Sequence, residues 1–330
     1  MKNKLNTRTI ALRVAAVVFA LLFVFSACLL VSEIWDKNHG KFTEGAETLN
    51  DKIEFEGETY RLKEGLETIL VLGLDKFSDE LSDSYNNNQQ ADFVLLFIID
   101  DEAKTYKAVH LNRDSMVEMN VLGVAGDKIG TVKGQLALSH AYGNGREISC
   151  RNTANAVSKM LLGMEIDHYV SVTMDAVPAY NDLVGGITLE ILDDFTSIDE
   201  TMVQGETVTL MGDQALYYVR SRYGLDDPSN NNRMKRQRQY LEALFEKSKE
   251  LALTDDGFIA RVGLKMTDYI VSDCSGNRLE ETLRKLSEYT FEDTLTIKGE
   301  TVMGEKFLEF YPNEDSVKEV VIDCFYETEK

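Results

Sequence analysis

The order of apolar and polar positions predicts a domain in which strands and helices alternate. Residues 68–74 and 93–99 are continuously apolar or β-branched, which is typical of strands buried on both faces. A third such segment, 106–111, follows the short loop 100–105. The second and third segments are therefore expected to form an antiparallel hairpin.

Beyond these strands, the spacing of apolar residues changes repeatedly between the helix and strand periods. Predicted helices cover 151–162 (with Ser149 as a candidate cap), 175–183, 211–219, 234–251, 257–270, 277–289 and 314–326. Predicted strands cover 168–174, 187–192 and 293–298. The pattern as a whole predicts an α/β fold, with a mixed central β-sheet covered by helices.

The first apolar run has the length of a transmembrane helix. Residues 14–31 carry no charge, basic residues precede them, and Glu33 and Asp36 follow. At about 1.5 Å per residue such a helix spans roughly 27 Å, close to the hydrocarbon thickness of a bilayer. The basic flank predicts a cytoplasmic tail (1–13), an uncleaved signal-anchor (14–35) and an extracellular remainder. A cleaved signal peptide and a lipoprotein site at Cys28 are the alternatives.

Two further parts are expected after the anchor. Residues 36–65 are rich in Glu, Gly and Lys and are predicted to form a stalk. Residues 66–330 are predicted to form one domain, because the chain contains only 3 prolines and shows no low-complexity break there. The motifs described below lie in 66–250, and 251–330 is a mainly helical tail.

The spacing of the cysteines does not decide between disulfides and free thiols. Cys150, Cys274 and Cys324 show no C-x-x-C spacing, so neither a zinc site nor a disulfide framework is indicated. A Cys274–Cys324 disulfide in an oxidising exterior and a pair of buried thiols are both compatible with the sequence.

Basic residues are concentrated around residue 230. The chain has a formal charge of −21, yet six of its 35 basic residues lie between Arg220 and Arg238. Arginine offers a planar fork of donors that suits phosphate. Arg220 and Arg222 end one predicted helix, and Arg233 and Arg236 open the next. The loop between the helices is expected to bring both pairs together at a helix N-terminus, which attracts anions. The segment predicts an anion site, with a solvated helix face as the alternative.

A second group of polar residues is expected at one edge of the sheet. Asp92 starts the second strand and Arg113 follows the third, so the predicted hairpin brings them together. If the first strand is parallel to the third, Asp75 reaches the same edge. Two carboxylates are the usual protein contribution to a Mg²⁺ site. Ordinary turn chemistry is the alternative explanation for these aspartates.

Five motifs, in order along the chain, resemble those of the LytR-CpsA-Psr (LCP) family. They are Val71-Leu72-Gly73-Leu74-Asp75, Ala91-Asp92-Phe93, Leu111-Asn112-Arg113-Asp114-Ser115, Tyr218-Val219-Arg220-Ser221-Arg222 and Arg233-Met234-Lys235-Arg236-Gln237. Segments 139–143, 166–170 and 183–187 also fit the family. The resemblance covers 66–250 closely and the tail more loosely.

The resemblance implies a membrane-anchored phosphotransferase of the bacterial envelope. Such enzymes take an anionic glycopolymer, such as a teichoic acid or capsular polysaccharide, from a polyprenyl-pyrophosphate carrier and join it to peptidoglycan through a phosphodiester. The implied cofactor is Mg²⁺ on Asp75 and Asp92, and the implied catalytic residues are these two and Arg113. The implied pyrophosphate contacts are Arg113, Arg220, Arg222, Arg233, Arg236 and Gln237, with Gln90 and Lys133 as weaker candidates. Nucleic acid is not an expected partner of an exported acidic domain.

Two departures from the family pattern leave other functions open. Gln90-Ala91-Asp92 stands where the family usually has arginine-serine-aspartate, so one positive charge is missing. Asn231-Asn232 precedes Arg233 where an acidic-glycine pair is common. A non-catalytic sensor that binds polyprenyl phosphate or glycan, and a hydrolase of polyprenyl pyrophosphate, are therefore the alternative functions.

Overall fold

A computed structural model describes residues 51–75, 89–221, 230–255, 257–274 and 288–329, together with four residues between 278 and 285. The predicted anchor at 14–35 and Arg222 lie outside these residues. Within the described part of the chain, no helix is long and apolar enough to cross a membrane.

The described residues form fifteen strands and six α-helices. The strands are β1 (Lys52–Phe55), β2 (Glu58–Leu62), β3 (Leu66–Leu74), β4 (Ala91–Asp100), β5 (Thr105–Leu111), β6 (Met116–Leu122), β7 (Lys128–Gln135), β8 (His168–Thr173), β9 (Ile187–Glu190), β10 (Thr207–Leu210), β11 (Ile270–Ser272), β12 (Thr290–Leu295), β13 (Gly299–Met303), β14 (Leu308–Pro312) and β15 (Tyr326–Thr328). The helices are α1 (Glu147–Met160), α2 (Ala176–Leu183), α3 (Asp213–Arg220), α4 (Asn230–Thr254), α5 (Phe258–Met266) and α6 (Glu314–Phe325). Short 3-10 helices cover Leu136–Ala141 and Thr267–Tyr269.

The chain divides into two compact units. We call the described residues of 37–172, 271–274 and 294–330 the sheet unit, and those of 173–270 and 275–293 the helical unit. The sheet unit carries the β-rich core, and the helical unit carries α2 to α5 with the β9–β10 pair. Each unit is described separately below.

The central sheet has six strands in the order β11-β8-β3-β4-β5-β12, which confirms a mixed α/β fold with a central sheet. β4 pairs antiparallel with both β3 and β5, as predicted for the hairpin. β3 and β5 consequently run in the same direction, which was the condition for bringing Asp75 to the edge where Arg113 lies. The apolar residues Leu70, Leu96 and Val109 of the three strands are completely buried.

The N-terminal part of the sheet unit differs from the expected stalk. Residues 52–62 form an antiparallel hairpin of β1 and β2, and β15 pairs with the outer side of β2. Glu56 and Gly57 at its turn have φ values of 51° and 86°, the positive φ that a two-residue hairpin loop needs. The stalk prediction is therefore wrong for this stretch. Its short strands contain only exposed and half-buried positions and have no long apolar run.

The start of α1 also differs from the prediction. The helix begins at Glu147, four residues before the predicted start, and Ser149 lies inside its first turn. Asn144 Oδ1 accepts hydrogen bonds from the backbone N–H of Arg146 (2.9 Å) and Ile148 (3.1 Å), so this side chain satisfies the helix terminus. Ser149 Oγ instead binds the preceding loop, accepting from the N–H of Gly145 at 2.8 Å.

The three described cysteines, Cys150, Cys274 and Cys324, are thiols. Of the two alternatives for Cys274 and Cys324, the structure therefore has the thiol pair. Most of the helix predicted at 277–289 lies outside the described residues.

His140 makes the stability of the sheet unit pH-dependent. His140 belongs to the 3-10 helix at 136–141, and its side chain is completely buried. Burial lowers the pKa of the imidazole from 6.5 to about 4, and a hydrogen bond with the Gln89 backbone opposes part of this shift. An unfolded histidine takes up a proton below about pH 6.5, whereas the folded one does so only near pH 4. The contribution of neutral His140 to stability is thus full above pH 6.5 and is lost as the pH falls toward 4.

We expect the free energy of unfolding to fall by about 3 kcal/mol more in the wild type than in His140→Gln between pH 7 and pH 4. Urea unfolding at several pH values measures this difference. Carboxylates titrate in both proteins, so the comparison isolates the histidine. Parallel curves for the two proteins would contradict the assignment.

Candidate functional site

The edge where β3 ends and β4 begins contains a β-bulge at Asp92. Gly73 pairs with Phe93 and Leu74 pairs with Ala91, so Asp92 is the extra residue of β4. Bulges break the strict alternation of side chains and redirect one of them. Asp75 follows Leu74 at the same edge and is exposed. The register thus places both predicted metal-binding aspartates at the same edge of the sheet.

Arg113 is the centre of this sheet-edge cluster. It lies in the loop after β5, and its side chain is 7% exposed. One terminal nitrogen pairs with Asp92 Oδ1, and the other donates to Gln90 Oε1. Nε lies 3.3 Å from Asp114 Oδ1. Three partners on different sides hold the guanidinium plane in one orientation, as required of a group that must meet a phosphate in a defined geometry.

Backbone hydrogen bonds fix the loop that carries Arg113. The carbonyl of Arg113 accepts from Ala137 N at 2.9 Å, and that of Asp114 accepts from Phe310 N at 2.9 Å. Asn112 Oδ1 accepts from Asp114 N at 3.0 Å. The loop is therefore held by the 3-10 helix at 136–141 on one side and by β14 on the other.

Asp114 and Gln135 are positioning residues to which the sequence analysis assigned no role. Gln135 Nε2 donates both to Asp114 Oδ1 at 3.2 Å and to the carbonyl of Leu308 at 2.7 Å. Asp114 in turn faces Arg113. In the sequence, these positioning roles are indicated only by the polar run 112–115, which directly follows a buried strand. It pointed to Asp114, but nothing in it pointed to Gln135.

The donor set at this edge fits Mg²⁺. Asp75 and Asp92 offer hard carboxylate oxygens, and Mg²⁺ takes one or two of these and fills its other positions with water and phosphate. Asp92 is 13% exposed, so it can serve Arg113 on one side and face a ligand on the other. Three carboxylates, those of Asp75, Asp92 and Asp114, thus share this edge with the single guanidinium of Arg113.

In the helical unit, Arg236 is a structural brace: its buried guanidinium connects α4 to the end of α3 and to the loop at Asp193. Its side chain is 1% exposed and contacts Asp193. Nε donates to the carbonyl of Tyr218 at 2.9 Å, and another nitrogen donates to the carbonyl of Ser221. Gln237 Nε2 adds a bond to the carbonyl of Val219 at 3.1 Å. These donors satisfy carbonyls at the C-terminus of α3, which have no partner within the helix.

Other arginines of the segment are placed differently. Arg220 is exposed at the end of α3. Arg233 lies in the first turn of α4, is 3% exposed and donates to Asn230 Oδ1. α4 begins at Asn230, four residues before the predicted start. The segment thus combines a brace, Arg236, with an arginine that solvent can reach, Arg220. Asp193, the partner of Arg236, was missed because it lies in a loop far away in sequence.

Lys133, the weakest of the predicted contacts, lies on β7 opposite Glu118 of β6. Its side chain is exposed, with Nζ 5.6 Å from the ring centroid of Tyr311. This is a cation–π arrangement. The structure therefore places Lys133 on a surface hairpin, stacked against an aromatic ring.

The fold and the sheet-edge cluster define an α/β protein with a preorganised arginine–carboxylate site. The sequence model of the LytR_cpsA_psr family matches residues 35–320, and the chain belongs to this family. The crystal structure of Bacillus subtilis TagV has the same fold, with a TM-score of 0.59 at 23% identity over 80% of this chain and 97% of that chain.

Two relatives show how far the similarity extends. Biofilm regulatory protein A of Streptococcus mutans is 32% identical over 189 residues, 54% of this chain and 43% of the relative. The polyisoprenyl-teichoic acid–peptidoglycan teichoic acid transferase TagU of Halalkalibacterium halodurans is 28% identical over 185 residues, 56% and 54% of the two chains. The chain thus spans about half the length of the relatives it matches.

Truncation of Arg236 is expected to destabilise the protein more than truncation of Arg220. Arg236→Ala should lower the free energy of unfolding by about 3 kcal/mol, because it leaves Asp193 and buried carbonyls without their donor. Arg220→Ala, at an exposed position, should change it by no more than about 0.5 kcal/mol. Urea unfolding of both variants measures this. Equal stabilities of the two variants would refute the brace assignment.

Proposed function

We propose that the protein transfers an anionic glycopolymer from a polyprenyl-pyrophosphate carrier to peptidoglycan and forms a phosphodiester. The observation that carries the proposal is the guanidinium of Arg113, oriented by Asp92 and Gln90 at a bulged sheet edge. Membership of the LytR_cpsA_psr family supports it, as does the name of the relative TagU, a transferase of teichoic acid to peptidoglycan.

In phosphoryl transfer, a protein contributes mainly by positioning the reacting groups and by stabilising the charge of the transition state. A sugar hydroxyl of peptidoglycan attacks the phosphorus next to the glycan, the new P–O bond forms, and polyprenyl phosphate leaves with the former bridging oxygen. Arg113 stabilises the negative charge that develops on the phosphoryl oxygens. The hydroxyl proton passes to one of the two carboxylates at this edge, Asp75 or Asp92.

Mg²⁺ is the proposed cofactor, held by Asp75 and Asp92. When bound, it supplies positive charge to the pyrophosphate oxygens. The fit of two hard carboxylates at one sheet edge supports this assignment.

The arginines of the helical unit have a divided role in this proposal. Phosphate contacts are assigned to Arg220, Arg222 and Arg233 by the family motif, with support for Arg220 from its exposure. Arg236 and Gln237 are assigned the positioning of α3, because their donors bind carbonyls at its end.

The proposed location is the outer face of a cell membrane, with the N-terminus in the cytoplasm. Its support is the uncharged run 14–31 with a basic flank. A polyprenyl carrier is embedded in the membrane, so an anchored enzyme would meet it there.

Gln90 supports a second candidate function, a non-catalytic envelope sensor. Its side-chain oxygen accepts from Arg113, and its position carries no charge where the family has an arginine. A site with less positive charge stabilises a phosphoryl transition state less well and can still bind its ligand. The relative from Streptococcus mutans bears a regulatory name.

The transferase proposal is tested by incubating the protein with a polyprenyl-pyrophosphate-linked sugar, peptidoglycan fragments and Mg²⁺, and following the products by mass spectrometry. A glycan–peptidoglycan phosphodiester together with polyprenyl phosphate is the expected result. Tight binding without product would favour the sensor. Release of polyprenyl phosphate without acceptor would favour the hydrolase.

Asp92→Asn should reduce the transfer rate about 100-fold or more, because it removes a charge that orients Arg113 and binds the metal. Chelation of Mg²⁺ should reduce the wild-type rate and have little further effect on the variant. Asp323→Asn is the matched control, since Asp323 is an exposed carboxylate paired with Lys107. Wild-type activity of the Asp92 variant would overturn the site assignment.

Arg220→Ala should weaken binding of the pyrophosphate substrate by about 1.5–3 kcal/mol, roughly 10- to 150-fold, which is the contribution of a charge-assisted hydrogen bond. Equilibrium binding measured without acceptor separates this effect from turnover. Arg61→Ala, at an exposed arginine paired with Glu327, is the control. An unchanged dissociation constant for Arg220→Ala would remove this residue from the site.

A further inference from the structure

Three side chains of metal-binding type converge in the sheet unit, at residues other than those of the sheet-edge cluster. His168 begins β8, and Asp273 and Cys274 directly follow β11, the neighbouring strand of the sheet. One ligand atom of each residue lies within 4.8 Å of those of the other two. In the described part of the chain, this is the one group of three or more His, Cys, Asp or Glu residues with such spacing.

Hydrogen bonds between the two strands hold these donors in place. Asp273 Oδ1 accepts from the N–H of Tyr169 at 2.9 Å and lies 3.7 Å from His168 Nδ1. Ser272 Oγ donates to the carbonyl of Tyr169 at 2.8 Å and accepts from the N–H of Cys274 at 3.0 Å. Supporting bonds of this kind orient the ligands of protein metal sites. The His168 side chain is 23% exposed and that of Asp273 5%, so solvent reaches the group at the imidazole.

The donor types select a class of metal. Imidazole nitrogen, carboxylate oxygen and thiolate sulfur together suit Zn²⁺, which binds them at about 2.0–2.3 Å in a tetrahedron. Ligand atoms of such a tetrahedron are roughly 3.3–3.8 Å apart. His168 Nδ1 and Asp273 Oδ1, 3.7 Å apart, already meet this spacing, and the remaining pairs lie within 4.8 Å. Mg²⁺ and Ca²⁺ prefer sites made entirely of oxygen.

A Cys-His-Asp nucleophile is the competing interpretation of the same residues. A nucleophilic thiol needs free N–H donors nearby to stabilise the oxyanion of its intermediate. The N–H of Cys274 is instead bonded to Ser272 Oγ, and that of Tyr169 is bonded to Asp273. The geometry therefore favours a metal site.

We propose that His168, Asp273 and Cys274 bind one Zn²⁺-type cation, which links the start of β8 to the end of β11 and leaves a fourth position for water. His168 lies in the Ile166-Asp167-His168-Tyr169 stretch, at the position for which the family motif specifies no residue type. The cation takes no part in the proposed transfer reaction.

The test uses the full-length protein, stripped of metal and then titrated with Co²⁺ and Zn²⁺. One equivalent of Co²⁺ should produce a thiolate-to-metal charge-transfer band, and Zn²⁺ should displace it while excess Mg²⁺ should not. Cys274→Ser should abolish the band, and His168→Gln should weaken Zn²⁺ binding at least 10-fold. Cys324→Ala, which alters another buried thiol, is the matched control and should retain the band.

Circular dichroism of each metal-free variant establishes that it is folded. A wild-type protein without the charge-transfer band, or unchanged Zn²⁺ affinity in folded Cys274→Ser, would overturn the proposal. Alkylation of Cys274 that depends on His168 and is not blocked by Zn²⁺ would overturn it in favour of the nucleophile. These readouts measure metal binding and thiol reactivity only, so they are independent of whether the protein is a transferase.

Discussion

The register of β3, β4 and β5 is the constraint on which the candidate site depends. The three strands are buried on both faces, and a slip of one residue would exchange the side chains of the two faces and disrupt the close packing on each. The register is consequently strongly specified. It decides that Leu74 meets Ala91, that Asp92 becomes the extra residue of a bulge, and that the loop after β5 reaches the same edge. The cluster around Arg113 is a consequence of this packing.

Ion pairs with little solvent exposure hold the key arginine side chains in defined orientations. Arg113 with Asp92 and Arg236 with Asp193 are both pairs whose arginine is almost fully buried. Burying such charges is unfavourable unless each is paired and hydrogen-bonded, and an apolar pair would often be as stable. Their presence at a sheet edge and at a helix terminus therefore agrees better with a need for defined geometry than with a need for stability. Arg220, by contrast, remains available to solvent.

The parts of the fold that were predictable share a strong local signal. β3, β4 and β5 are continuous apolar segments, and α6 has a clear helical period, so their predicted bounds are close to those observed. The hairpins at 52–62 and 116–135 were missed because their short strands carry many polar residues and are only partly buried. Such strands are stabilised by pairing with other strands, and β2 finds its outer partner β15 at the other end of the chain.

The candidate site likewise has features that the local sequence predicts and features that depend on packing. The amino-acid sequence alone determined the family motifs, the acidic character with its local concentration of arginines, and the meeting of Asp92 with Arg113, which follows from a short hairpin loop. Three features follow from the packing of the chain and not from its local sequence: Gln90 accepts a hydrogen bond from Arg113, Arg236 binds the end of α3, and His168, Asp273 and Cys274 converge. The reason is physical: hydrogen-bond partners such as Asp193 and Arg236 are 43 positions apart in the chain, and only packing brings them together.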